Sequence, residues 1–403
     1  MKVSDLYSPL TALLYGALGA TIALLAWPHI PGLDWLSLPG LAGLLLLAWL
    51  LAPSRTAAFT LAAGYYLAGT RGLPVGAGVF FERHVAAPGF FLWIAAALVL
   101  AIPYAALWLP TRLRRPWLVA AVVILLFAIQ ALPWSGFGLF AWISPYLALA
   151  SLFPGFGLWA FALGIILVVL ASRSVWASSL TVIFLIIGES VFWSPVPAVP
   201  AMQGVNTQLG PMPASLIARY YRNEKLAAHL LDHERLNRLT LYPEFVAGVW
   251  YTANAWQYRN VVTATKQNHH AVLIGAEQPM PGRSAPYLDS LVLIQDGKPR
   301  FLPNEISVPY SMWHPWAFHS ALLNLDHPEV VQIKGERFGY LICYESLLLW
   351  PGLQIAAQKP ITTLLFAAND WWAVHTSIPA IQLESAKLWA KILGAHLVSA
   401  VNT

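Results

Sequence analysis

Seven apolar stretches crowd into the first half of this 403-residue chain, most of them near the length of about 20 residues that a bilayer requires. They run from Leu6 to Trp27, Leu33 to Ala52, Thr56 to Thr70, Phe90 to Leu109, Trp117 to Leu132, Gly155 to Ala171 and Trp176 to Phe192. The third is the shortest. The piece between Trp134 and Phe153 is interrupted by Ser135 and Pro145 and bounded by Pro133 and Pro154, so it reads as an interfacial or re-entrant segment; an eighth span is the less favoured reading. Composition shows why water cannot be the only solvent. The chain is 58% hydrophobic and 10% charged, against about 45–50% and about 25% for soluble domains. Of its 41 Lys, Arg, Asp and Glu residues, 12 fall in residues 1–195 and 29 in residues 196–403. The sequence therefore predicts a transmembrane bundle of about seven helices over 1–194 and an extramembrane domain over 195–403.

Charge placement predicts the orientation. Alternate loops of the first half carry Lys2, Arg55, the Arg112, Arg114 and Arg115 group, and Arg173, while the intervening loops hold Arg71 and Arg83. Six basic residues against two place the N-terminus in the cytoplasm by the positive-inside rule. After an odd number of spans the second half lies across the membrane, which in a Gram-negative bacterium means a multi-pass inner-membrane protein with a periplasmic C-terminal domain. The first apolar stretch is expected to stay as an anchor, since no small-residue cleavage site follows it. The net charge of +5 is explained by these loops, and no basic cluster or Gly-rich phosphate loop points to nucleic acid.

Beyond Pro195 the texture changes to short apolar runs separated by Pro, Gly and Asn, with helical stretches between them, which predicts an α/β domain. The runs are Pro200 to Val205, Leu239 to Tyr242, Ala271 to Gly275, Ser290 to Gln295, Phe338 to Cys343, Thr362 to Ala367 and Leu397 to Val401. Asp296-Gly297 between two of the runs is a hairpin signal. Ala214 to Arg238 and Ile378 to Leu393 read as surface helices.

The sole cysteine, Cys343, closes an apolar strand in Phe338-Gly-Tyr-Leu-Ile-Cys-Tyr-Glu345. A thiol at a strand end escapes the packed sheet yet is held by it, although a lone cysteine after Leu341-Ile342 also fits a small buried hydrophobe. Glu244 ends another strand after Tyr242-Pro243, and a carboxylate beside a thiol can take its proton during attack on an acyl group. Glu345 and Asn369-Asp370 add polar groups at strand ends, so several such groups converge on one sheet edge. His269-His270 and the helically spaced His229 and His233 read as solvated histidines rather than metal ligands, and no metal or cofactor is expected.

Met202-Gln-Gly-Val-Asn206, Tyr242-Pro-Glu244, Val308-Pro309, Ile342-Cys-Tyr-Glu345 and Asn369-Asp-Trp371, in that order, resemble the nitrilase domain of bacterial apolipoprotein N-acyltransferases. Gly64-Tyr-Tyr-Leu-Ala-Gly69 and Leu132-Pro-Trp134 extend the resemblance into the membrane half. It implies an αββα sandwich at a membrane bundle and a Glu-Lys-Cys triad, in which the thiol takes an acyl chain from a phospholipid and passes it to an amine. Residue by residue, Glu244 takes the place of the base and Cys343 that of the nucleophile. The family's lysine falls on Asn304 when counted back from Pro309, with Lys298 the alternative counted from Pro303. The family's following glutamate becomes Met312. Lys334, Arg300 and His314 are the residues that could supply a cation from elsewhere.

With Ser311-Met-Trp-His-Pro-Trp316, these departures resemble the conjugal transfer offshoot of that family, the TraB proteins of conjugative plasmids. The chain's last residues, Val401-Asn-Thr403, fall where N-acyltransferases continue into a further strand segment and a last transmembrane helix, which implies a domain tethered at one end. The resemblance implies catalytic Cys343, Glu244 and Glu345, with Asn304 at the lysine position and Tyr344, Trp313 and Trp371 as substrate contacts. Two functions compete. One is thiol-dependent acyl transfer or amide cleavage at the periplasmic face, with a phospholipid or lipid-linked substrate and pilin or other conjugation envelope proteins as partners. The other is a non-catalytic assembly factor for the conjugation machinery.

Overall fold

The computed structural model describes residues 3–28, 37–81, 87–110, 114–191, 202–234, 238–281, 286–327 and 329–403. Lys2, Arg83, Arg112 and the 194/195 boundary of the sequence reading lie outside these residues. The chain forms two compact units: a helical unit of Met1–Ser194, Leu347–Trp350 and Ala373–Leu393, and a sheet unit of Pro195–Ser346, Pro351–Trp372 and Gly394–Thr403.

In the helical unit the apolar stretches become helices of 8 to 24 residues. The main ones are Val3–Ala26, Leu44–Leu51, Arg55–Gly69, Ala87–Ala106, Pro116–Ala131, Leu158–Ala171 and Val175–Val191. By length and composition two of them, over Pro9–Ala26 and Gly89–Ala106, are long and apolar enough to cross a membrane. Two of the others are shorter than their apolar stretches, because turns cut into them: the 3-10 turn Pro39–Gly43 precedes Leu44–Leu51, and Gly157, with positive φ, caps Leu158–Ala171. Close helix packing explains the Gly64–Gly69 motif. A Cβ on Gly64 would lie under 3.0 Å from the backbone of Gly16, and one on Gly19 would strike that of Leu61. Small residues at such crossings let two helices approach backbone to backbone.

The tyrosines of that motif belong to a buried polar chain. Tyr65 Oη donates to the Ile143 carbonyl at 2.9 Å, and Tyr66 Oη lies 3.3 Å from Tyr104 Oη. Gln130 Nε2 donates to Tyr104 Oη and its Oε1 accepts from Ser144. Polar groups in an apolar interior are tolerated when they satisfy one another. The helix Ile378–Leu393, from the far end of the sequence, joins this unit: Gly155 and Gly157 N–H groups donate to the Lys391 and Ile392 carbonyls, and Trp389 meets Phe161.

Among the described residues the sheet unit has nine strands: β1 (Met202–Gly204), β2 (Leu239–Leu241), β3 (Ala271–Pro279), β4 (Tyr287–Gln295), β5 (Lys298–Pro303), β6 (Val330–Ile333), β7 (Glu336–Ile342), β8 (Thr363–Asn369) and β9 (His396–Asn402). They form two mixed sheets, ordered β1-β2-β3-β4-β5 and β6-β7-β8-β9. β1, β2 and β3 run parallel, as do β7, β8 and β9, whereas β4, β5 and β6 pair antiparallel with their neighbours. The hairpin of β4 and β5 turns at Asp296-Gly297, where both residues adopt positive φ, as a two-residue hairpin turn requires.

One face of the first sheet packs on the helices Leu216–Glu234 and Arg259–Asn268 through Leu226, Leu230, Val261, Val272, Ile274 and Val292. Burying each such side chain contributes about 1.5–3 kcal/mol. The two sheets meet where β1 runs on to β9. A Cβ on Gly204 would fall on the Ser399 backbone, and Thr207 exchanges main-chain hydrogen bonds with Val401 and Thr403.

Candidate active site

The sequence-predicted residues arrive at one edge because the strands that carry them end there. β7 delivers Cys343 immediately after Ile342, in a left-handed conformation with φ 50°. Such a backbone costs a non-glycine residue of order 1–3 kcal/mol and is found where the surroundings over-determine it. β2 leads through Tyr242-Pro243 to Glu244, and this turn lies against β3 at Gly275, whose N–H donates to the Pro243 carbonyl at 3.1 Å. A Cβ at Gly275 would lie under 3.0 Å from the backbone of Pro243, Glu244 and Phe245. Only glycine leaves room for the turn. β8 supplies Asn369 and then Asp370, and the same Asn369 is tied by its Oδ1 to Asn402 Nδ2 at 2.7 Å.

Glu244 and Cys343 are hydrogen-bonded to each other, and the Asn369 main-chain N–H serves both. Burial raises the Cys343 thiol well above its ordinary range, and the Glu244 and Asp370 carboxyls push the same way, against the Asn369 N–H. Glu244 itself is raised by burial, opposed by hydrogen bonds from Asp289, Cys343 and Asn369. The thiol is therefore held in its protonated form, and the Glu244 carboxyl stands beside it. This arrangement suits concerted general-base attack on a carbonyl rather than a preformed thiolate.

Asn304 follows β5 and is buried: its Nδ2 donates to Ser307 Oγ in its own loop at 3.0 Å and its main-chain N–H to the Asp289 carbonyl on β4 at 2.8 Å. The charged candidates lie elsewhere. Lys298 opens β5 opposite Gln295 and is exposed, Lys334 pairs with Asp296 at 2.7 Å beside the same hairpin, and Arg300 is exposed on β5. Among the described residues no Lys or Arg is among the groups acting most strongly on Cys343, Glu244, Asp289 or Asp370. What surrounds the thiol is acid. Of the 14 acidic residues beyond residue 195, Glu244, Glu277, Asp289, Glu305, Glu329, Glu345 and Asp370 are buried, a placement that carboxyls rarely adopt unless paired.

Glu345 has a role that its motif position did not reveal. Its Oε1 accepts from the Glu305 and Ile306 N–H groups at 2.7 and 2.8 Å, and its Oε2 from Ile342 N–H at 3.0 Å. The carboxylate thus joins the end of β7 to the loop after β5 and holds the Asn304 loop on the Cys343 turn. Tyr340 Oη adds a second tie, donating to the Pro303 carbonyl. Glu345 also hydrogen-bonds Glu329, which in turn accepts from the Glu305 N–H at 3.1 Å. Three main-chain donors favour charge on Glu345, so the shared proton belongs to Glu329, which burial and its acidic neighbours raise well above the ordinary carboxyl range.

A pH dependence follows from Glu329. A carboxyl raised in the folded state binds more protons folded than unfolded between the two pKa values, so its contribution is complete below the unfolded value of about 4.3 and is lost as pH rises toward the folded value. Glu329→Gln keeps both hydrogen bonds without an ionisable group. Its unfolding midpoint in detergent is expected to exceed that of the wild type by a margin that grows from mildly acidic to neutral pH; a margin that shrinks would contradict the assignment.

Tyr344 is buried, Trp371 is half-buried beside Asp370, and Trp313 is half-buried at the base of a tight turn where the Tyr310 N–H donates to its carbonyl. Met312 closes the same turn through its N–H to Val308. His229 bonds the Tyr242 hydroxyl, and His269 lies 3.8 Å from Asp296. Sequence reasoning missed Asp289, Glu329 and Asn402. An acid inside the mostly apolar run Tyr287–Ile294 was the available signal for the first.

The sheet unit and its edge thus define an α/β domain with a buried Cys-Glu pair. No protein-family model matches the chain. It is 31% identical over 372 residues to the probable conjugal transfer protein TraB of Sinorhizobium fredii, covering 88% of this chain and 90% of that one. It is 29% identical over 384 residues to the conjugal transfer protein TraB of Agrobacterium fabrum, covering 89% and 86%. The chain belongs to the conjugal transfer protein TraB family. Solved structures similar to it include an amidase from Nesterenkonia sp., at 14% identity and TM-score 0.35, covering 52% of this chain and 80% of that one.

Proposed function

We propose that this chain is a membrane-anchored, thiol-dependent acyltransferase or amide-cleaving enzyme of conjugative transfer, acting at the periplasmic face of the inner membrane on a phospholipid or lipid-linked substrate. The observation that carries the reading is the Cys343–Glu244 hydrogen bond at the strand-end edge. As Cys343 Sγ adds to an ester or amide carbonyl, Glu244 takes the thiol proton and returns it to the departing alcohol or amine. A thioester on Cys343 remains, which an amine or water then resolves.

The helical unit supports the membrane part. Phe91, Trp159 and Leu180 are 73%, 74% and 67% exposed, and helices showing such residues outward match an apolar solvent. Trp117, Trp159 and Trp176, each at the second position of its helix, are exposed, as suits an interfacial aromatic belt. Pilin or another envelope protein of the mating apparatus is the expected acceptor or partner.

A donor strain lacking the gene tests the proposal. Cys343→Ala, present in the membrane at normal level, is expected to restore plasmid transfer no better than the empty vector. Full restoration would favour the second reading, a non-catalytic assembly factor, which the acidic, cation-poor surroundings of the thiol support.

A further inference from the structure

The carboxyl of Asp289 occupies a place in this site that no sequence motif marks. In the β3–β4 register, Gly275 faces Leu291 and Glu277 faces Asp289. Residues two apart on a strand, and partners across a ladder, share a face, so all four positions lie on one face of the sheet. Glycine at the first opens the slot that the Glu244 turn fills. Asp289 is therefore the diagonal neighbour of that turn, 1% exposed, and its side chain is hydrogen-bonded to Glu244. Its carbonyl meanwhile accepts from the Asn304 N–H.

Two carboxyls in hydrogen-bond contact and out of water cannot both be ionised; they share one proton. Which of them holds it follows from the remaining neighbours. Glu244 receives donors from Asn369 N–H and from the Cys343 thiol, which favour charge. Asp289 faces the acids Glu277 and Glu345 as well as Glu244, and Tyr287 lies on its own strand. We propose that Asp289 is a positioning acid of the Cys343 site: it keeps its proton, donates it to the Glu244 carboxylate, and leaves the charge on the carboxyl that faces the thiol. Burial and the surrounding acids raise Asp289 well above the ordinary carboxyl range, in keeping with this placement. The proton does not leave Asp289 during the reaction. Its function is to hold Glu244 with one oxygen occupied and the other turned to the sulfur.

The inference rests on the catalytic reading of Cys343, but its test does not require turnover. Infrared difference spectra of the full chain in detergent at neutral pH, wild type minus Asp289→Asn, are expected to show the loss of a protonated carboxyl C=O band. Loss of carboxylate bands instead would overturn the proposal. Because the chain has one cysteine, iodoacetamide alkylation then reads the thiol alone as a function of pH. Asn donates the same hydrogen bond as a neutral Asp, so Asp289→Asn should reproduce the wild-type profile within about twofold, while Asp289→Ala shifts its midpoint. Removing an ionised Asp would instead lower the thiol pKa by about one unit and speed neutral-pH alkylation on the order of tenfold. That result, or three coinciding profiles, would also overturn the proposal. If acyl transfer fails while these outcomes hold, only the functional reading falls.

Discussion

Glu345→Ala is expected to unfold the sheet unit rather than merely silence it. The substitution leaves the N–H groups of Ile306 and Ile342 without an acceptor and that of Glu305 with Glu329 alone. Each buried donor stranded in this way costs about 1–3 kcal/mol, and Glu329 loses its partner as well. The sum is a large share of the whole stability of a typical domain, about 5–15 kcal/mol. Limited proteolysis and thermal unfolding of the detergent-solubilised chain measure it: the variant should be cleaved within the sheet unit under conditions that leave the wild type intact. If Glu345→Ala folds with wild-type stability but loses its chemistry, the residue belongs to the reaction and the structural assignment is wrong.

That prediction reverses the emphasis of the sequence. The Cys-Tyr-Glu motif put Glu345 beside Cys343, two residues away, and proximity in sequence suggested a shared role. Two of its three main-chain partners lie 39 and 40 positions distant, in a loop whose position depends on how the two sheets meet. Local patterns carry strand ends well, because an apolar run that stops at a polar residue marks them; Cys343, Glu244 and the Asp296-Gly297 hairpin were legible for that reason. They do not carry the pairing of one acid with another from a different strand. Asp289 and Glu329 stand in strand-like surroundings where only the fold shows that each faces a second carboxyl. Asn402 is similar: a single amide near the end of the sequence that binds Thr207, Leu209, Gly210 and Asn369 at once.

The cation was legible only as an absence. Alignment on the family motif put Asn304 where a lysine was expected, and the structure keeps Asn304 buried beside Ser307, while Lys298 and Arg300 stay exposed on β5 and Lys334, in the turn between β6 and β7, pairs with Asp296. The helical unit departs from expectation for another reason. Apolar composition marks each stretch, but proline and glycine decide where a helix begins and stops, and these shorten two of the seven, Leu44–Leu51 and Leu158–Ala171.

The most direct measurement concerns the thiol itself. A missing electrostatic donor typically costs about 10²–10³ in rate, so an enzyme lacking the lysine acylates slowly and needs its base all the more. Purified protein incubated with phospholipid, and separately with amide donors, is read by intact mass followed by peptide mapping. The wild type is expected to gain an acyl group, labile to hydroxylamine and located on Cys343. Cys343→Ala should gain none, and Glu244→Gln, which keeps the shape but cannot accept the proton, should fall by at least the same roughly 10²-fold. An acyl adduct that persists undiminished in Glu244→Gln, or a wild type that takes up no acyl group from any donor, would contradict the account.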